Sequence, residues 1–220
     1  MTTFDLINYY QFNLISSKYQ KYPSGICTMV EEMNSIREKY RNGDPIDVVL
    51  IECIRQRHQN RIPKNVVNKA KDALKNSIFV DAHLKSKPFI VGNRLSESFT
   101  DFEELYDFIR SVIGNISGIG PLTVYDTAKR IGHLFDTPIY PKPYVYLSAG
   151  ALDGAKALLG RNDLKFRELT TLFEPYFGTF PSIFIEDILC IFKDKFGAKS
   201  TTTTVTTPIL TKANGCFYCC

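Results

Sequence analysis

The chain has 220 residues, 44% of them hydrophobic and 13% aromatic, with a formal net charge of +4. That composition is enough for a packed interior, either one domain of good size or two small ones sharing a core, and the charge permits nucleic-acid binding without demanding it. No apolar run approaches the ~18 residues of a membrane-spanning helix, so no transmembrane segment is expected.

The start, Met1-Thr2-Thr3-Phe4-Asp5, lacks a basic region followed by an apolar run. No secretory signal is expected, and the thiols are expected to be reduced in an intracellular, cytoplasmic setting. Helical spacing predicts a first helix from Thr3 to about Lys18, with Phe4, Ile7, Tyr10 or Gln11, and Leu14 on one face. Tyr22-Pro23-Ser24-Gly25 breaks it. A second helix is predicted from about Cys27 to Tyr40, a third from about Ile46 to Gln59, and a fourth opened by Pro63 and running to about Lys75. Arg55, Arg57, Arg61, Lys64, Lys69, Lys71 and Lys75 make this the densest basic stretch, read as a solvated helix face or as a nucleic-acid contact. Residues 78–95 contain Pro88 and Gly92 and fit no single element. Thr100 is the expected cap of the next helix.

Along that helix Phe102, Leu105, Tyr106, Ile109, Val112, Ile113 and Ile116 recur at helical spacing, and Val124, Ala128, Ile131 and Leu134 or Phe135 repeat the pattern downstream. Between them lies Ile116-Ser117-Gly118-Ile119-Gly120-Pro121-Leu122-Thr123. Gly118 and Gly120 lack a Cβ and tolerate positive φ, so the turn can be tight and a ligand can approach its backbone. Pro121 suits the first helical turn, where its missing N–H has no intrahelical partner anyway. The N–H groups that open the second helix, with the positive end of its dipole, form an anion site. Lys129 and Arg130 follow on that helix.

Three prolines, Pro138, Pro141 and Pro143, forbid a helix after Phe135. A helix is predicted over Val145–Leu159, rich in Ser148, Ala149, Gly150, Ala151, Gly154, Ala155 and Ala157, which allow close approach of another helix. Two more are predicted over 166–177 and 183–196, and Glu186-Asp187 is expected near the start of the last, where acid is stabilising. From about 199 to 220 the Thr-rich composition predicts a low-complexity, poorly ordered tail. The expected fold is all-α: a helical domain over 1–198 with a central helix pair near 102–135, then the flexible tail.

The stretch from about Phe102 to Leu147, a fifth of the chain, resembles the helix-hairpin-helix superfamily of base-excision DNA glycosylases. In that family an apolar-Pro-Gly-apolar-Gly turn precedes a helix and then a loop that ends near a catalytic Asp. Ile116-Ser117-Gly118-Ile119-Gly120 matches the turn, with Ser117 for the usual Pro. Thr123 matches a common Thr, while Val124 stands where Ala is typical. The resemblance implies DNA-backbone binding by Gly118, Ile119, Gly120, Thr123, Lys129 and Arg130, largely independent of base sequence. Leu122 holds the position of the nucleophilic Lys of lyase-type members, and Lys142 falls where the Asp is expected. A carboxylate stabilises positive charge developing on a sugar as its base departs, and an ammonium opposes it. Glycosylase chemistry by the family's route is therefore not expected. Lys142 would serve as an amine nucleophile only if burial or neighbouring cations activated it.

Of six cysteines, Cys27, Cys53 and Cys190 sit in apolar helical contexts. Cys216-Phe217-Tyr218-Cys219 supplies one pair, short of a tetrahedral zinc site, with no His nearby. His58, His83 and His133 are scattered without ligand spacing. No metal or cofactor is expected, and no four-cysteine iron–sulfur pattern is present. The reading leans away from an enzyme; any activity would belong to a divergent glycosylase or lyase. Two functions stand side by side: a DNA-backbone-binding, glycosylase-like protein without the catalytic acid, and a helical interaction or scaffold protein that uses the hairpin only for packing and the small-residue helix for a partner.

Overall fold

The computed structural model describes residues 3–12, 26–55, 62–80, 85–96 and 99–196. The predicted tail, His58, His83, Arg57, Arg61, Leu14 and the end of the first predicted helix lie outside the described residues. The protein is mostly helical. Its elements in chain order are α1 (Thr3–Phe12), α2 (Ile26–Arg41), α3 (Ile46–Ile54), α4 (Lys64–Lys75), strands β1 (Ile78–Val80), β2 (Ser86–Pro88), β3 (Ile90–Val91) and β4 (Arg94–Leu95), α5 (Phe102–Ile113), α6 (Pro121–Leu134), β5 (Tyr144–Tyr146), α7 (Ala149–Leu159), β6 (Arg167–Leu169), α8 (Glu174–Phe177) and α9 (Ser182–Ile191). The contacts group the chain into two compact units, Met33–Pro141, and Met1–Glu32 with Lys142–Cys220.

In the Met33–Pro141 unit, α6 packs on α5 and α3, and α4 on α3 and α5. Val67, Ala70 and Leu74 of α4, Val49, Leu50, Cys53 and Ile54 of α3, and Phe102, Leu105, Ile109 and Ile113 of α5 are buried. They recur at the three- and four-residue spacing of one helix face. The ambiguous 78–95 stretch forms two antiparallel ribbons, β1–β2 and β3–β4. They are too short to show a strand period in the sequence. Phe79 turns inward to Phe99 and Phe108, at ring-centroid distances of 4.2 and 5.7 Å. The cap of α5 is Asp101, not Thr100: its side chain accepts from the Glu104 N–H at 2.8 Å, while the Glu104 carboxylate accepts from the Thr100 N–H at 2.7 Å. That is a capping box displaced by one residue at its returning arm.

In the other unit, α7 and α9 pack closely, with α1 and β5 also against α9. A Cβ on Gly154 would lie 2.0 Å from the Leu189 carbonyl oxygen, and one on Gly150 would lie 2.6 Å from Cys190 Sγ. The small-residue stripe of α7 thus has its helix partner inside the same chain. The helix predicted over Val145–Leu159 starts only at Ala149, because Tyr144-Val145-Tyr146 pairs as β5 with β6. The β-branched and aromatic residues there favour a strand. Glu186 and Asp187 lie in the second turn of α9, not its first. Ser148, which opens α7, donates to Glu186 at 3.3 Å, and Tyr10 donates to Asp187 at 2.7 Å. Glu186 therefore meets the start of a different helix from the one expected.

Candidate nucleic-acid interface

The candidate site is the turn from Gly114 to Thr123 between α5 and α6. Ile119 is buried, and its N–H donates to the Ile116 carbonyl at 2.9 Å. That pins the turn between the two helices. Gly118 has φ +93°, a left-handed conformation that side chains resist. Gly120 does not: as N-cap of α6 it has φ −96° and ψ 170°, ordinary extended backbone. Its role is room, since a Cβ there would meet nothing within 4 Å. Pro121 opens the helix as expected. No side chain caps α6. Among the described residues, the amides of Gly118, Gly120, Leu122 and Thr123 donate to no protein acceptor. Ser117, Gly118 and Pro121 are exposed, and Leu122 and Thr123 partly so. The turn therefore presents open donors at the positive end of a 14-residue helix.

The cations around it are not those expected. Lys129 and Arg130 are only 7% and 6% exposed. The Lys129 ammonium lies 3.0 Å from the Asp126 carboxylate and 5.0 Å from the centre of the Tyr125 ring. Arg130 donates to the Cys53 carbonyl at 3.2 Å, satisfying the last turn of α3. Their assignment to phosphate is corrected: α6 is buried on every side beyond its first turn, so polar residues outside its apolar stripe still point into protein. The surface cations belong to other helices. Val66 of α4 packs against Gly118, its methyl carbons 3.4 Å from where a Cβ would stand. Lys64 and Lys69 of α4 are exposed, Lys69 one turn after Val66. Arg110, one turn before Gly114, is exposed as well. None of the three makes an ion pair among the described residues. Lys71 and Lys75, by contrast, are engaged by Asp72 and Asp47. Helical spacing carried a signal for the two lysines: Val67, Ala70 and Leu74 set the inward face of α4, which leaves Lys64 and Lys69 outward.

Lys142 begins the second segment of the other unit, and its side chain is exposed. Its carbonyl, not its amine, is the gripped group: Thr170 Oγ1 and Ser182 Oγ donate to it at 3.0 and 3.2 Å. No cluster of His, Cys, Asp and Glu able to hold a metal ion occurs among the described residues, and no helix among them is long and apolar enough to cross a membrane. No family model, curated protein or solved structure matches the chain.

Proposed function

We propose that this chain binds the sugar–phosphate backbone of DNA through the 114–123 turn, as a helix-hairpin-helix protein that reads no base sequence. The observation that supports this most is the set of open amides at Gly118, Gly120, Leu122 and Thr123; Lys64, Lys69 and Arg110 on the neighbouring helices α4 and α5 are exposed. Phosphate oxygens fit such donors, and the helix dipole favours their charge. The proposal includes no glycosylase step, because Lys142 takes the place of the expected carboxylate. Its exposed side chain likewise lacks the burial that activates an amine.

The test is a binding titration on duplex DNA across a salt series. Wild type should bind tightly at low salt and weaken steeply as salt rises. Lys64→Ala/Lys69→Ala/Arg110→Ala should lower the magnitude of the log–log slope by roughly 3. No binding at low ionic strength, or an unchanged slope in the triple variant, would overturn the reading. The interaction-protein alternative loses its original motive, since α9 fills the stripe of α7. It draws instead on Ile78, Val80 and Val91, which are 63%, 53% and 60% exposed on the short ribbons. It is favoured if DNA binding fails while Ile78→Lys/Val80→Lys abolishes concentration-dependent association.

A further inference from the structure

The turn between α2 and α3 consists of Asn42, Gly43, Asp44 and Pro45. Gly43 stands at φ +84°. Its N–H donates to the Tyr40 carbonyl at 3.2 Å, and the Asp44 N–H donates to the Lys39 carbonyl at 3.0 Å. These are the paired bonds of a Schellman cap, whose left-handed residue glycine supplies at least cost. Asn42 precedes it and is still bonded as helix, its N–H donating to the Glu38 carbonyl at 2.8 Å. The Asn42 side chain is exposed and makes no hydrogen bond among the described residues.

A second element holds the same turn. Asn93 lies in the two-residue turn between β3 and β4, inside the Val91–Arg94 pair. Its Nδ2 donates to the carbonyls of Gly43 and Asp44 at 3.2 and 2.9 Å, and its Oδ1 accepts from the Ile46 N–H at 2.6 Å. Pro45, the N-cap residue of α3, gives no side-chain cap, so Asn93 caps that helix from elsewhere in the chain. One side-chain amide therefore fixes both the carbonyls that follow the Asn42–Gly43 bond and the first amide of α3.

An asparagine followed by glycine is chemically exposed, because glycine has no side chain to shield its nitrogen. The deprotonated Gly43 nitrogen attacks Asn42 Cγ: an N–Cγ bond forms, the Cγ–Nδ2 bond breaks and ammonia leaves. Water then opens the resulting five-membered imide at either carbonyl, leaving aspartate or isoaspartate. In the closed turn the attack is denied, since the Gly43 N–H is bonded to Tyr40 and the next carbonyl is held by Asn93. We infer that Asn42 is a site of spontaneous deamidation and isomerisation, and that the Asn93 side chain governs its rate by keeping the turn closed. Conversion acts back on the clamp. Isoaspartate adds a methylene to the main chain before Gly43 and displaces the carbonyls that Asn93 holds. Either product adds a negative charge at the negative end of the α2 dipole. The inference is independent of DNA binding.

Peptide mapping by mass spectrometry on the full chain incubated at pH 8 tests it. Asn42 should convert in the urea-unfolded chain, and at least about tenfold more slowly in the folded one, because reaction waits on local opening of the turn. Asn93→Asp keeps an acceptor for the Ile46 N–H but loses both donors, and should raise the folded rate by about tenfold. Amide hydrogen exchange should show that variant losing protection at Gly43 and Asp44, with the interiors of α5 and α6 unchanged. The inference is overturned if Asn42 converts at equal rates in folded wild type and Asn93→Asp, or as fast in folded wild type as in the unfolded chain. It is overturned too if Asn42 stays an amide in the unfolded chain. Faster conversion in Asn93→Asp that comes with loss of protection spread over α5 and α6 overturns it equally, since the unit then opens as a whole.

Discussion

Lys129 and Arg130 show how much a charge's worth depends on which way it points. At the surface either could leave with little consequence, but here both are interior. Lys129→Ala removes the buried ion partner 3.0 Å from Asp126. It should destabilise the fold by about 3 kcal/mol, as breaking a buried pair does. Arg130→Ala uncaps the Cys53 carbonyl and should cost about 2 kcal/mol. Lys64→Ala and Lys69→Ala should stay within about 0.5 kcal/mol, as exposed substitutions do. Urea unfolding midpoints of the four variants separate these values. Equal midpoints would mean that Lys129 and Arg130 are solvated after all. Gly154→Ala belongs at this scale too. Its new methyl would need the space of the Leu189 carbonyl, 2.0 Å away, and helix backbones cannot swing aside as side chains do. A loss of at least about 2 kcal/mol is expected in the same assay.

In the turn between α5 and α6, two glycines that look alike in sequence do different work, and substitution can separate them. Gly118→Val forces a branched side chain to φ +93° and should cost roughly 1–3 kcal/mol. Gly120→Ser places a favoured N-cap residue in extended backbone with open space around it, so folding should be unharmed or slightly strengthened. Its hydroxyl would accept from the amides of Leu122 or Thr123, the donors proposed for phosphate. DNA binding should therefore weaken while the melting temperature does not fall. A Gly120→Ser chain that binds as wild type would mean those amides do not carry the contact. Elements with strong helical periodicity and a terminal signal were legible in the sequence: α5 and α6 with Gly120-Pro121 between them, and α4 after Pro63. Residues 78–95 were not, because strands of two and three residues set no period. Residues 145–146 were misread because the helix of small residues was extended back over Val145 and Leu147, whose two-residue spacing is that of a strand; the partner strand Arg167–Leu169 is distant in sequence. The turn itself was legible as a tight glycine turn opening a helix at Pro121, but the exposure of the cations was not. Val66 comes to the turn through the packing of α4, a tertiary fact, whereas Lys129 and Arg130 were near it only along the chain.

For the whole molecule, acid is where the buried polar groups of α6 become measurable. His133 has a folded value of about 4 against an ordinary 6.5. Above pH 6.5 neither state binds the extra proton, and the full stability is present. As pH falls from 6.5 towards 4 the unfolded chain takes up a proton that the fold refuses, so stability declines by about 1.4 kcal/mol per pH unit, roughly 3 kcal/mol in all. Below about 4 both states are protonated, and this contribution has no further slope. Unfolding free energies of wild type and His133→Gln measured from pH 7.5 to 4 isolate the effect, since the carboxylates common to both cancel in the difference. The difference should be flat above pH 6.5 and should change in favour of the variant below it. A difference that stays constant across the range would mean that the imidazole titrates alike in the folded and unfolded chains, contrary to its burial beside Arg37 and Arg41.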